Sequence, residues 1–181
     1  MPIPTLTTPR LRLRGFELSD AKQVQHLAGE FEIADTTMAI PHPYEDGLAE
    51  NWIETHVPNY EAGKVVNFAI CLPENNLAIG SISLMNINPL HRNAEMGYWV
   101  GKPYWGKGYC SEAAKRVLEY GFRELDLHRI YAHHMTRNPA SGRVLQKIGM
   151  QHEGRVRETI LKWDKFEDIE IYGILRREFA G

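Results

Sequence analysis

Residues 94–123 read AEMGYWVGKPYWGKGYCSEAAKRVLEYGFR, and the fold turns on how this stretch is read. Ala94 to Val100 has the character of a strand, Gly101 to Gly108 carries three glycines, and Ser111 to Glu124 repeats apolar residues at helical spacing. Gly101, Gly106 and Gly108 let the main chain bend and approach a ligand with no Cβ in the way. A helix that starts just after such a turn aims its unpaired N–H groups and positive dipole end at whatever lies there. The stretch therefore predicts a phosphate-binding turn between a strand and a helix.

Working outward, Val65 to Leu72 reads as a buried strand and Ala78 to Asn88 as its hairpin partner, so Ala94 to Val100 completes an antiparallel meander. Toward the N-terminus, Leu11, Leu13 and Phe16 alternate with Arg10, Arg12 and Arg14, as in a half-buried strand. Ser19 offers an N-cap to a helix carrying Val24, Leu27 and Ala28, and Phe31 to His42 reads as irregular. A helix with Leu48, Trp52 and Ile53 on one face follows, to be ended or kinked by Pro58. Beyond the central stretch come a strand (Arg129 to Met135), a helix (Pro139 to Ile148) and strands around Glu153 to Leu161 and Glu167 to Arg176. The expectation is one α+β or mixed α/β domain over residues 1–181, because no Pro-, Gly- or Ser-rich linker divides the chain.

Composition narrows the function. A net charge of −2 gives no electrostatic footprint for nucleic acid or anionic lipid. No apolar run approaches the ~18 residues of a membrane span, and MPIPTLTTPRLRLR lacks the apolar core of a signal peptide. Two cysteines, Cys71 and Cys110, make no disulfide framework, so a cytoplasmic setting is expected. His133 and His134 are adjacent on a predicted strand and point to opposite faces; with no HxxxH or paired Cys spacing, no metal is expected. The expected partner is a small molecule.

Three anion-binding templates compete for the turn. Gly101 to Lys107 matches GxxxxGK of the P-loop, but Gly108 stands where a Ser or Thr would hold Mg²⁺. Gly106-Lys107-Gly108-Tyr109-Cys110-Ser111 fails the dinucleotide fingerprint at its third glycine. The third template fits. TPRLRLR, AEMGYWV, PYWGKGYCSEA, NPASGRVLQKIGM and the terminal EIYGILRREF resemble, in order, the GNAT N-acetyltransferase superfamily, in particular its branch of ribosomal-protein N-terminal acetyltransferases. Pro103 stands where the superfamily turn commonly has Arg or Gln.

The resemblance implies a GNAT fold, with a mixed, mostly antiparallel sheet of six to seven strands flanked by about four helices. It implies acetyl-CoA as acetyl donor, a primary amine as acceptor (a protein N-terminus or a small molecule), direct attack in a ternary complex, and a homodimer as an available assembly. Trp105, Gly106, Lys107, Gly108, Tyr109, Cys110 and Ser111 would hold the pyrophosphate, Lys107 adding charge unless it is a solvated surface lysine. Tyr98 and Val100 would pair their main chain with the pantetheine arm, and Asn138 would contact it besides capping the helix at Pro139. Cys110, near a helix N-terminus, reads either as a reactive thiol or as a small residue packed beside the cofactor.

Transfer to an amine needs a proton acceptor, donors for the oxyanion and help for the departing thiolate. Glu95 shares a strand face with Gly97 and Trp99 and is the candidate base, against the alternative of a structural bond to a neighbouring Arg or backbone group. Ser141 is the candidate for the thiolate; the tyrosine that does this in much of the superfamily has no counterpart in GRVLQKIGM. Glu30, Glu32, Asp35, Glu45 and Asp46 could form an acidic acceptor pocket or lie on solvated loops. The alternative from another class is a domain that senses acyl-CoA without turnover.

Overall fold

The meander expected over residues 65–100 is the middle of the sheet. In the computed structural model, which describes residues 2–180, strands β3 (Val66–Leu72), β4 (Leu77–Asn88) and β5 (Asn93–Val100) pair antiparallel in succession. Two strands precede them, β1 (Leu6–Thr7) and β2 (Arg12–Arg14), and three follow: β6 (Arg129–Met135), β7 (Gln151–Lys162) and β8 (Lys165–Leu175). The order across the sheet is β1-β2-β3-β4-β5-β6-β8-β7, and β5–β6 is its one parallel pair among the described residues.

Among the described residues eight strands replace the six to seven expected, because the two-residue β1 is too short for any periodicity to show and exists through its pairing with β2. Among the described residues six α-helices replace about four. Phe31–Thr36, read as irregular, is helix α2, following α1 (Ala21–Ala28). The segment after Asp46 divides into α3 (Leu48–Glu54) and α4 (His56–Glu61), breaking at Thr55 rather than at Pro58. Pro58 lies in the first turn of α4, where a missing N–H costs nothing. Helices α5 (Tyr109–Arg123) and α6 (Pro139–Lys147) complete the set. Ser19 is not a cap; it lies within a 3-10 turn, Leu18–Asp20, that leads into α1.

The period-2 alternation sends two different faces of each strand into two layers. Leu13, Phe68, Ile70, Ile82, Leu84, Met96 and Ile130 pack with Ala113, Val117 and Leu118 of α5 into the main core. On the other face, α1 and α3 pack Val24, Ala28, Ala49 and Ile53 against Phe16, Trp52 and Trp99. Phe68 meets Tyr120 edge to face at 5.5 Å, which fixes α5 over the sheet centre.

His56 lies under the second layer, 2% exposed, with Trp52 and Phe16 at ring distances of 4.3 and 5.3 Å. Neither ring nitrogen has a hydrogen-bond partner among the described residues, and burial pushes the pKa down from 6.5 to about 4. The neutral ring is therefore the native form. Its stability contribution is complete above pH 6.5 and is lost as pH falls toward 4, where the unfolded chain takes a proton that the folded chain refuses. The loss is roughly 3 kcal/mol at 1.36 kcal/mol per unit. Urea titrations between those pH limits should show this slope, and His56→Phe should flatten that part of it.

Candidate active site

Strand β5 is paired on both sides only at its start. Among the described residues its ladder to β6 ends after Asn93–Arg129, Ala94–Ile130 and Glu95–Tyr131, whereas its ladder to β4 runs on to Val100. The two strands then diverge and leave a wedge. The Gly101 N–H bonds to the Ile79 carbonyl at 2.9 Å, which fixes the alternation: odd-numbered residues of β5 bond to β4, and the main-chain groups of Met96, Tyr98 and Val100 face the wedge. A chain bearing amides can lie there as an added strand. The Val100 carbonyl already accepts the Trp105 indole N–H at 2.5 Å, so its N–H is the group left over.

At the wide end of the wedge lies the glycine turn. Gly106 and Gly108 adopt φ of +75° and +79°, the left-handed region that glycine enters without strain, and Gly108 is the N-cap of α5. The first intrahelical bond is Glu112 N–H to Gly108 O, leaving the preceding N–H groups directed outward at the positive end of the helix. The turn is held by a strap that sequence reasoning missed. Arg10 donates to the Lys107 carbonyl at 3.0 Å, lies 5.0 Å over the Tyr109 ring and pairs with Glu112 at 2.6 Å. Thr8 Oγ1 also donates to Glu112, at 2.6 Å. Burial pushes the Glu112 carboxyl up, but the bonds from Thr8 and Arg10 outweigh it and hold the carboxyl below its usual range. Glu112→Gln should raise the KM for acetyl-CoA about tenfold, the size of one or two lost charged bonds, with kcat little changed.

One cavity of about 1230 Å³ joins this turn to the face of the sheet under α1 and α3. Trp105, Gly106, Gly108, Tyr109, Cys110 and Ser111 line it, as do Tyr98, Val100, Asn138, Ser141 and Glu95. Lys107 does not; its ammonium lies 5.6 Å over the Tyr104 ring on the exposed side. Burial pushes the Cys110 thiol up to about 12, which favours the packing reading over the reactive-thiol one. Asn138 caps α6, its side chain accepting from the Ser141 N–H at 3.3 Å and donating to the Thr36 carbonyl at 3.4 Å.

Among the described residues Glu95 has neither the Arg nor the backbone partner considered from sequence. Asn86 Nδ2 donates to its Oε2 at 2.9 Å, and His133 Nδ1 lies 3.3 Å from Oε1. His133 lines the same cavity, with Nε2 3.1 Å from Met38 Sδ, and His134 borders it too, with its ring stacked on Tyr172 at 5.7 Å. Ser141 Oγ is 2.9 Å from the Tyr98 hydroxyl, which also bonds to the Ser141 carbonyl at 3.1 Å. Burial raises the Tyr98 pKa far above its ordinary value, so this hydroxyl keeps its proton. Of the two readings of the early acidic residues, the acceptor pocket is not the one their placement supports. Glu32 is paired with Lys102, Asp35 with Arg137 and the Trp163 indole, and none of Glu30, Glu32, Asp35, Glu45 and Asp46 lines the cavity. Among the described residues no group of three or more His, Cys, Asp or Glu is arranged to hold a metal ion, and no helix is long and apolar enough to cross a membrane.

A glycine turn on a helix N-terminus, beside a parallel pair that splays, is matched by the family model described as "Acetyltransferase (GNAT) domain" over residues 10–151. The chain belongs to the GNAT acetyltransferase family. It is an acetyl-CoA-dependent N-acetyltransferase. The chain is 32% identical to an uncharacterized N-acetyltransferase, p20, of Bacillus licheniformis over 98% of this chain and 99% of that one. It is 31% identical to the putative ribosomal N-acetyltransferase YdaF of Bacillus subtilis over 74% of each. The solved spermidine N-acetyltransferase of Vibrio cholerae, in complex with CoA and spermine, superimposes with a TM-score of 0.82 at 26% identity, covering 96% of this chain and 100% of that one.

Proposed function

We propose that this acetyltransferase moves an acetyl group from acetyl-CoA to a primary amine by direct attack in a ternary complex. The observation that carries the reading is the single cavity that runs from the glycine turn, past the open edge of β5, to the Glu95 carboxylate. The main-chain N–H groups of residues 106–111 and the dipole of α5 hold the pyrophosphate, Tyr98 and Val100 hold the pantetheine arm, and Asn138 borders it. The thioester supplies an activated acetyl carbonyl and a thiolate leaving group. Glu95 takes the proton of the incoming amine, with His133 beside it to orient the carboxylate and share the charge. Tyr98 donates its one proton to the Ser141 carbonyl, so Ser141 Oγ is the donor in the 2.9 Å contact between the two hydroxyls, and the serine proton turns from the Tyr98 oxygen to the departing thiolate. A main-chain N–H of residues 98–100 facing the wedge meets the oxyanion.

The relatives' names include both a ribosomal and a polyamine acetyltransferase, so the acceptor has to be read from this chain's own cavity. Calorimetry with acetyl-CoA and a thiol-release assay over an amine panel test the proposal. Tight binding with amine-dependent CoA release supports it; tight binding with release on no amine favours the sensor reading. A second copy of the chain as partner rests on family likeness, and light scattering checks it.

A further inference from the structure

The acceptor end of the cavity is unlike a site for a polycation. Ile33, Ile40, Tyr44, Trp52 and Trp99 supply its walls, and Glu95 is the one acidic side chain among the described residues that lines it. A cation already lies behind this wall: the Lys162 ammonium, on a residue 7% exposed, donates to the Ile40 carbonyl at 3.1 Å. An amine that buried a further ammonium here would lose its hydration and meet no second carboxylate among the residues that line the cavity.

The floor carries a different signal. Asn67, Ser81 and Ser83 are 8%, 3% and 7% exposed and line the cavity on adjacent strands, with Asn67 opposite Ser83 and Ser81 opposite Trp99. The side chains of Asn67 and Ser81 make no hydrogen bond among the described residues. Buried polar groups are ordinarily paired, and these two open into the cavity, where a bound molecule can pair them. β3 and β5 are two strand spacings apart, so Asn67 lies about 10 Å across the sheet from the strand that carries Glu95.

We infer that the acceptor is a singly charged primary amine with an apolar body and an uncharged hydrogen-bonding group at its far end, the amine meeting Glu95 and the far group meeting Asn67 and Ser81. The inference rests on the acetyl-transfer reading above and narrows its acceptor. A polyamine is disfavoured because no second carboxylate lines the cavity among the described residues, and a continuing peptide is disfavoured by the apolar walls of Ile33, Ile40, Trp52 and Trp99.

The test is steady-state kinetics at saturating acetyl-CoA with tyramine, phenethylamine, spermidine and a tetrapeptide bearing a free N-terminus. Tyramine is expected to exceed spermidine and the peptide in kcat/KM by about 100-fold, the scale on which a site rejects an unpaired buried polar group. Spermidine or the peptide equal to tyramine overturns the inference while leaving acetyl transfer intact. CoA release on none of the four, with acetyl-CoA bound in calorimetry, overturns the acetyl-transfer reading and the inference with it. Two variants localise the effect. Asn67→Leu should bring tyramine down to the level of phenethylamine, and an unchanged ratio removes the Asn67 assignment. Ile40→Glu, at a partly exposed position, should raise spermidine relative to tyramine about tenfold by supplying a second carboxylate, and no change argues against the disfavouring of polyamines on charge.

Discussion

Glu95→Gln is expected to lower kcat by roughly 100- to 1000-fold, the range for loss of a positioned general base, while the KM for acetyl-CoA stays close to that of the parent. Glutamine keeps the shape and can still meet Asn86, which now donates at 2.9 Å to Oε2, so the sheet loses no packing. What disappears is the negative charge beside His133 and the capacity to accept a proton. A structural Glu95 would tolerate the exchange. The discriminating measurement is the pH–rate profile: the parent should have a limb, reporting an essential base, that the variant lacks. A variant with the parent's kcat and profile means that the amine is attacked in its neutral form with water as proton carrier.

The second large effect concerns the ion pair behind the acceptor layer. Arg14 of β2 holds Asp20 by two bonds of 2.7 and 2.9 Å, with Arg14 6% and Asp20 8% exposed. Arg14 also donates to Asn76 Oδ1 at 3.1 Å and to the Gly15 carbonyl at 2.9 Å, so its guanidinium is paired on all sides. Asp20 in turn accepts the Glu17 N–H at 2.9 Å, which closes the turn before α1. Asp20→Ala leaves a buried guanidinium without its counter-charge and is expected to cost about 3–5 kcal/mol in urea unfolding. Replacing both partners with apolar residues of similar volume should restore much of that, because the desolvation of both charges vanishes together. A single-variant loss below about 1 kcal/mol would place this pair with ordinary surface bridges.

These two sites differ in how far the sequence shows them. Glu95, Gly97 and Trp99 share a face because alternation along a strand is local, and the same rule separates His133 from His134. The partner of Glu95 is not local. His133 reaches it because β5 and β6 run parallel in the register Glu95–Tyr131, which no short pattern encodes. Arg10 and Glu112 are 102 residues apart, and RLRLR by itself gives a strand with three outward arginines rather than a brace for the turn. The pairing of the early acidic residues is hidden for the same reason: Lys102 and Arg137 lie far along the chain and consume Glu32 and Asp35. Helix α2 was missed because six residues with two buried side chains hold their shape through packing, not through a visible period.

The short seam between β5 and β6 has a mechanical consequence. Three ladder positions are the backbone stitching that joins the sheet's N-terminal five strands to its C-terminal three. Past Glu95 the edge carries missing rungs, and a pantetheine arm lying there would complete them. The donor substrate then serves as a removable structural member of the sheet, and a ligand that binds only the folded chain raises its stability with the logarithm of its concentration. Amide protection in residues 129–135 should rise on adding CoA, making the seam a gauge of donor supply as well as the place where the donor is used.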